Sequence, residues 1–155
     1  DNIHPGEGVP GGFALRAYAY LHHYFVVSSV RTDGSRIIDP LGTVRARTDQ
    51  RLTTVWADIG LDYAVCHWDF NYSIPERLVA EYGDRVAVTS DRDSAHFLLE
   101  TRSEGLSIAD LSRQFGFEDT ASYHERHRRA YIALREGRAA EPQHPLHAER
   151  SQYTK

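Results

Sequence analysis

Cys66-His67-Trp68-Asp69 sets a thiol beside an imidazole and a carboxylate, the residue types of a cysteine nucleophile and its base. Adjacency works against that use. A nucleophilic cysteine needs its thiolate stabilised by a positioned base or a helix N-terminus, and neighbours in a strand point to opposite faces. Cys66 is therefore read as a semi-buried thiol among aromatics, and no catalytic residue is assigned. His124-Glu125-Arg126-His127 falls one residue short of the His-Glu-x-x-His zinc signature, and no third ligand lies nearby. No metal and no cofactor are assigned. Trp68, Asp69, Asn71 and Tyr72 form the densest polar and aromatic group, a composition that lines small-molecule pockets or subunit contacts and that also suits a plain structural loop. His22 and His23 stand beside the first predicted strand, as packing or as the edge of a substrate cleft. These six residues are the candidate site, assigned as substrate cleft or interface.

The elements that must position them start with residues 11–30. Ala14, Ala17, Tyr18 and Leu21 fall at i, i+3, i+4 and i+7 and predict a helix lying with that face on a sheet; residues 24–30 read as a buried strand. Asp33-Gly34 marks a turn. Strands are predicted at 36–39, 43–47 and 53–59, the first closed by Pro40-Leu41-Gly42. Residues 63–72 fit a strand or an ordered loop. Ser73 and Pro75 open a helix that stops at Gly83, and strands follow at 85–89 and 95–100, with the turn at 91–94. From Leu106 the pattern turns helical. Ser107 and Asp110 make a capping-box variant, Ile108, Leu111 and Phe115 share a face, and Gly116 ends the helix. A last helix spans 120–136 with Tyr123, His127, Ala130, Tyr131 and Leu134 on one side and most of its arginines on the other. Residues 1–10 read as loop or ragged start, and 139–155, with Pro142 and Pro145, as an extended or disordered tail.

The chain has 155 residues, a formal charge of -4 and 41% hydrophobic residues, enough for one core. The acidic balance disfavours a general nucleic-acid binder, and a single cysteine gives no disulfide framework. No apolar run approaches the ~20 residues of a membrane helix. A soluble, cytoplasmic protein is expected. With no methionine and Asp1 first, it is expected to be a portion of a longer protein.

Four stretches, in order, resemble the C-terminal half of carbon–nitrogen hydrolases, the nitrilase superfamily: Arg16-Ala17 in the helix, Tyr24-Phe25-Val26-Val27, Ser35-Arg36-Ile37-Ile38-Asp39-Pro40-Leu41-Gly42, and Val55-Trp56-Ala57-Asp58-Ile59. The resemblance covers residues 11–61 and is looser beyond. Where many members carry Glu-Asn after the helix's Arg-Ala, this chain has Tyr20-Leu21-His22-His23. The resemblance implies an α/β (α+β) chain forming half of an α-β-β-α sandwich. Residues 11–105 would be its C-terminal portion and 106–138 a helical extension. It implies a hydrolase, an amidase or nitrile hydrolase working through a Glu-Lys-Cys thioester. The triad would lie outside this chain, in an N-terminal half that is its partner. A small amide or nitrile is the implied substrate, and a homodimer or higher oligomer the implied assembly. Because such a sandwich buries one face against a neighbour, the interface is the preferred function of the Trp68 group.

Residues 106–130 are also similar to the helix-turn-helix of AraC-type transcription regulators, with Arg126, Arg128 and Arg129 as candidate phosphate contacts. Those regulators carry two such motifs and one is found here. Nucleic acid is not the expected partner, and the alternatives are a DNA-binding regulator or a non-catalytic binding module.

Overall fold

The computed structural model describes residues 13–29, 34–69, 71–91 and 95–140. The chain is α+β, with helices and two small antiparallel sheets, and divides into two compact units at Ile59/Gly60. That boundary falls inside the 11–105 segment. The predicted loop at 1–10, most of the turns near 33 and 92, and nearly all of the tail lie outside the described residues.

In the first unit, helix α1 (Phe13–His22) is followed by strands β1 (Val26–Ser28), β2 (Arg36–Ile38) and β3 (Val44–Arg47), in the order β1-β2-β3. Register fixes which side chains face which way. Val26, Ile38 and Val44 form one row and meet Leu15 and Ala19 of α1. Val27, Ile37 and Ala46 form the opposite row, and Val27 is 71% exposed. The helix face differs from the predicted one: Leu15 and Ala19 are buried, whereas Ala14, Tyr18 and Leu21 are exposed. Both stripes have helical spacing, so periodicity alone does not choose between them. A contact outside the pattern does. Gly42, at φ +76°, brings its turn so close that a Cβ there would stand 3.0 Å from the Arg16 carbonyl oxygen, and Arg16 Nε donates to the Gly42 carbonyl at 2.7 Å.

That turn is built on Asp39, which is buried. Its Oδ1 accepts from the Leu41 and Thr43 amides, both at 3.0 Å, and its Oδ2 takes Arg45 Nε at 3.2 Å. The ladder shifts register between Ile37 and Ile38, pairing Ile37 with Ala46 and Ile38 with Val44, so Arg45 is the bulged residue. The strand predicted at 53–59 is not a strand. From Thr54 to Ile59 exposed and half-buried residues alternate as in an extended strand, and Trp56 is 79% exposed, but no ladder forms. Alternation can be written in sequence; a ladder also needs a second backbone.

The second unit contains β4 (Tyr63–His67), α2 (Ile74–Tyr82), a 3-10 turn (Gly83–Arg85), β5 (Val86–Asp91), β6 (His96–Thr101), α3 (Ile108–Phe115) and α4 (Thr120–Arg135). Its sheet has the order β4-β6-β5, which puts β6 in the centre with all six residues buried. On one face Ala64, Cys66, Phe97 and Leu99 pack with Ile74 and Leu78 of α2 and Leu111 and Phe115 of α3. The boundaries of α3 follow the sequence signals. Ser107 Oγ accepts the Asp110 amide at 3.1 Å, and Gly116 closes α3 in the left-handed conformation at φ +67°. Asp119 caps α4 by accepting the Ser122 amide at 2.7 Å. Along α4 the predicted apolar face holds only in part. Tyr123, His127 and Ala130 are half-buried, but Tyr131 and Leu134 are exposed and Ala133 is the buried residue of the last turns. None of the described helices is long and apolar enough to cross a membrane.

Candidate functional site

β4 ends at His67, and the chain turns sharply to start α2. Asn71 holds the turn: its Nδ2 donates to the His67 carbonyl at 2.8 Å and to the Glu118 carbonyl at 3.4 Å, and its amide donates to the Trp68 carbonyl at 2.9 Å. The Trp68 amide in turn donates to the Ala95 carbonyl at 3.0 Å. With the backbone fixed, the Trp68 indole packs on Phe97 at 5.1 Å between centroids and stacks with Tyr72 at 6.3 Å. Between this turn and the start of α2 opens a cleft of about 630 Å³ lined by Trp68, Asp69, Tyr72, Ser73, Pro75, Glu76 and Ala95.

Behind Asp69 stands an aromatic stack. Tyr123 Oη donates to Asp69 Oδ2 at 3.1 Å, and the Tyr123 ring lies parallel to His67 with centroids 4.7 Å apart and 2° between planes. His127 meets the Tyr123 ring edge-on at 4.2 Å, and the Arg126 guanidinium sits 5.5 Å above it. Burial, then the Asp69 hydrogen bond, pushes the Tyr123 phenol up to about 12, so it is a donor, not a base, near neutrality. His67 Nδ1 accepts the Asp69 amide at 3.0 Å, so that nitrogen carries the lone pair. Asp69 Oδ2 lies 3.6 Å from the same nitrogen.

Cys66 is fully buried opposite Phe97, and burial, reinforced by Asp119 and Glu118, pushes its thiol well above the ordinary range. A thiolate is disfavoured there, as the packing reading requires. Among the described residues no group of three His, Cys, Asp or Glu side chains is gathered as for a metal ion.

Of the six candidate residues, Trp68, Asp69 and Tyr72 line the cleft, while Asn71 is buried and braces the turn from within. His22 and His23 belong to the first unit. There His22 stacks with Tyr24 at 5.5 Å and with Tyr18 at 6.1 Å, and His23 takes φ +51° at the end of α1. The sequence reading missed Glu76, Ser73 and Ala95 as lining and Tyr123 as the brace on Asp69. Tyr123 stood on the predicted apolar face of α4, a sign that it meets the sheet without a sign of which residue it meets. In the helix pair resembling a DNA reader, Arg126 is paired with Glu118 and Arg128 makes a two-pronged bridge to Glu125 with both contacts at 2.7 Å. No protein-family model matches this chain, and no curated protein or solved structure matches it.

Proposed function

We propose that the chain is the C-terminal part of a carbon–nitrogen hydrolase of the nitrilase type, working with a segment that carries the Glu, Lys and Cys of the triad. The observation that carries this reading is the stretch at 54–59, which joins no ladder. It keeps strand-like alternation and exposes Trp56, as a strand does when its neighbour is supplied from outside. The outward row of Val27, Ile37 and Ala46 supports the same reading, because one sheet of a sandwich has a second apolar face to cover. So does the arrangement of the Asp39-Pro40-Leu41-Gly42 hairpin, a motif of the resemblance, locked to α1 through Arg16. In this role the chain contributes half of the sandwich, a wall of the amide or nitrile cleft and the surface for a second copy. The chemistry belongs to the partner segment: its thiolate adds to the amide carbonyl and expels the protonated amine to leave a thioester, or adds to the nitrile to give a thioimidate that takes up water and loses ammonia to reach the same thioester, and a second water then releases the acid and restores the thiol.

Of the three candidate phosphate contacts of the DNA-binding reading, Arg126 and Arg128 are paired with Glu118 and Glu125. The test is intact mass measurement of the native-source protein under conditions that preserve complexes, followed by amidase and nitrilase assays. A companion segment with a reactive cysteine, and activity lost when that cysteine is changed to Ala, is expected. A lone folded 17.6 kDa species would overturn the proposal, as would turnover depending on Cys66.

A further inference from the structure

The cleft between the β4 turn and α2 combines two aromatic faces with two carboxylates, and none of its described lining residues is cationic. We propose that it binds a small organic cation, an alkylammonium group held against Trp68 and Tyr72 and neutralised by Asp69 and Glu76. This stands independently of the hydrolase reading. The volume, about 630 Å³, falls within the usual range of small-molecule sites. Trp68 and Tyr72 stack with 29° between planes, a shelf whose π-faces attract a cation. Both carboxylates retain capacity. Asp69 engages Tyr123 through Oδ2, which also lies 3.6 Å from His67 Nδ1, and the Glu76 carboxylate makes no hydrogen bond or ion pair with any described residue.

An anion is disfavoured at the same place. The start of α2 would ordinarily offer amide hydrogens to an anion, but Pro75 has none and Glu76 already holds negative charge in that first turn. Ser73 makes no side-chain capping bond and stands at the rim as a neutral donor or acceptor. An aliphatic amine satisfies each of these features at once, with its chain on the aromatic shelf and its ammonium between the carboxylates.

The test uses Trp56→Phe, which leaves Trp68 as the one remaining tryptophan of the two in the chain. Its emission is followed at low salt during titration with n-butylammonium, n-butyrate and 1-butanol. A saturable change with n-butylammonium alone is expected, weakened by added salt. Glu76→Gln should weaken it about two- to fivefold, as loss of one partly exposed charge contact does. Its thermal midpoint should be unchanged. Glu81→Gln, on the same helix outside the cleft, should not weaken binding. An equal response to 1-butanol would make the cleft merely apolar, and an equal response to n-butyrate would make charge irrelevant. Either result, no saturable response, an unaffected Glu76→Gln variant, or an equal loss in Glu81→Gln would overturn the proposal.

Discussion

Replacing Asp39 with alanine removes three acceptor contacts at once. The Leu41 and Thr43 amides lose Oδ1, and the Arg45 guanidinium loses Oδ2. Leu41 is buried, so its amide is left without water to replace the carboxylate, whereas Thr43 is exposed and partly recovers. A donor stranded in this way costs about 1–3 kcal/mol. Loss of the Arg45 hydrogen bond adds about 1 kcal/mol, because the half-buried guanidinium keeps some access to water once the carboxylate is gone. The combined loss is about 3 kcal/mol, equivalent to a hundredfold or more in local opening. Asp39→Asn separates the terms. It keeps an oxygen for both amides and gives up only the charge facing Arg45, a loss of about 1 kcal/mol. Amide exchange across residues 36–47 reads both variants. Protection should fall about a hundredfold in Asp39→Ala and less than tenfold in Asp39→Asn. Equal effects of the two variants, or a loss under tenfold in the alanine variant, would refute the view that hydrogen bonding to the backbone organises this hairpin.

Gly42→Ala meets both a positive φ and the Arg16 carbonyl oxygen, and should lower unfolding stability by about 1–2 kcal/mol in urea titration. Ser107→Ala removes the cap that accepts the Asp110 amide and should cost about 1 kcal/mol in the same assay. Because the folded-state Tyr123 phenol is raised, its contribution is intact below about pH 10 and is lost as pH rises toward 12. In an alkaline absorbance titration the difference between the native protein and Tyr123→Phe should therefore be a single late phenolate step, and a step near pH 10 would contradict the buried hydrogen bond to Asp69. The Cys66 thiol should resist a disulfide-exchange reagent at mildly alkaline pH until urea unfolds the chain, and rapid stoichiometric labelling of the folded protein would contradict its burial.

Local signals in the sequence determined several elements outright. Ser107, Gly116 and Gly83 act within one helical turn of their own positions, so the ends of α2 and α3 could be read without knowing what the helices touch. The short strands of the first unit were legible because Pro40-Leu41-Gly42 and the alternation around it are also local. Tertiary structure decided whatever depends on a second surface. α1 carries two stripes of helical spacing, and the approach of Gly42 to Arg16 set Leu15 and Ala19 inward. Residues 53–59 have the composition of a strand, but hydrogen-bonded pairing requires another backbone at the right distance, which no alternation can supply. The candidate site divided in the same way. Trp68, Asp69 and Tyr72 were legible as a polar and aromatic group because they are neighbours in sequence. Glu76 joined them when the Asn71 turn led the chain from β4 into α2, and Tyr123 reached Asp69 across 54 residues of chain because α4 packs on β4.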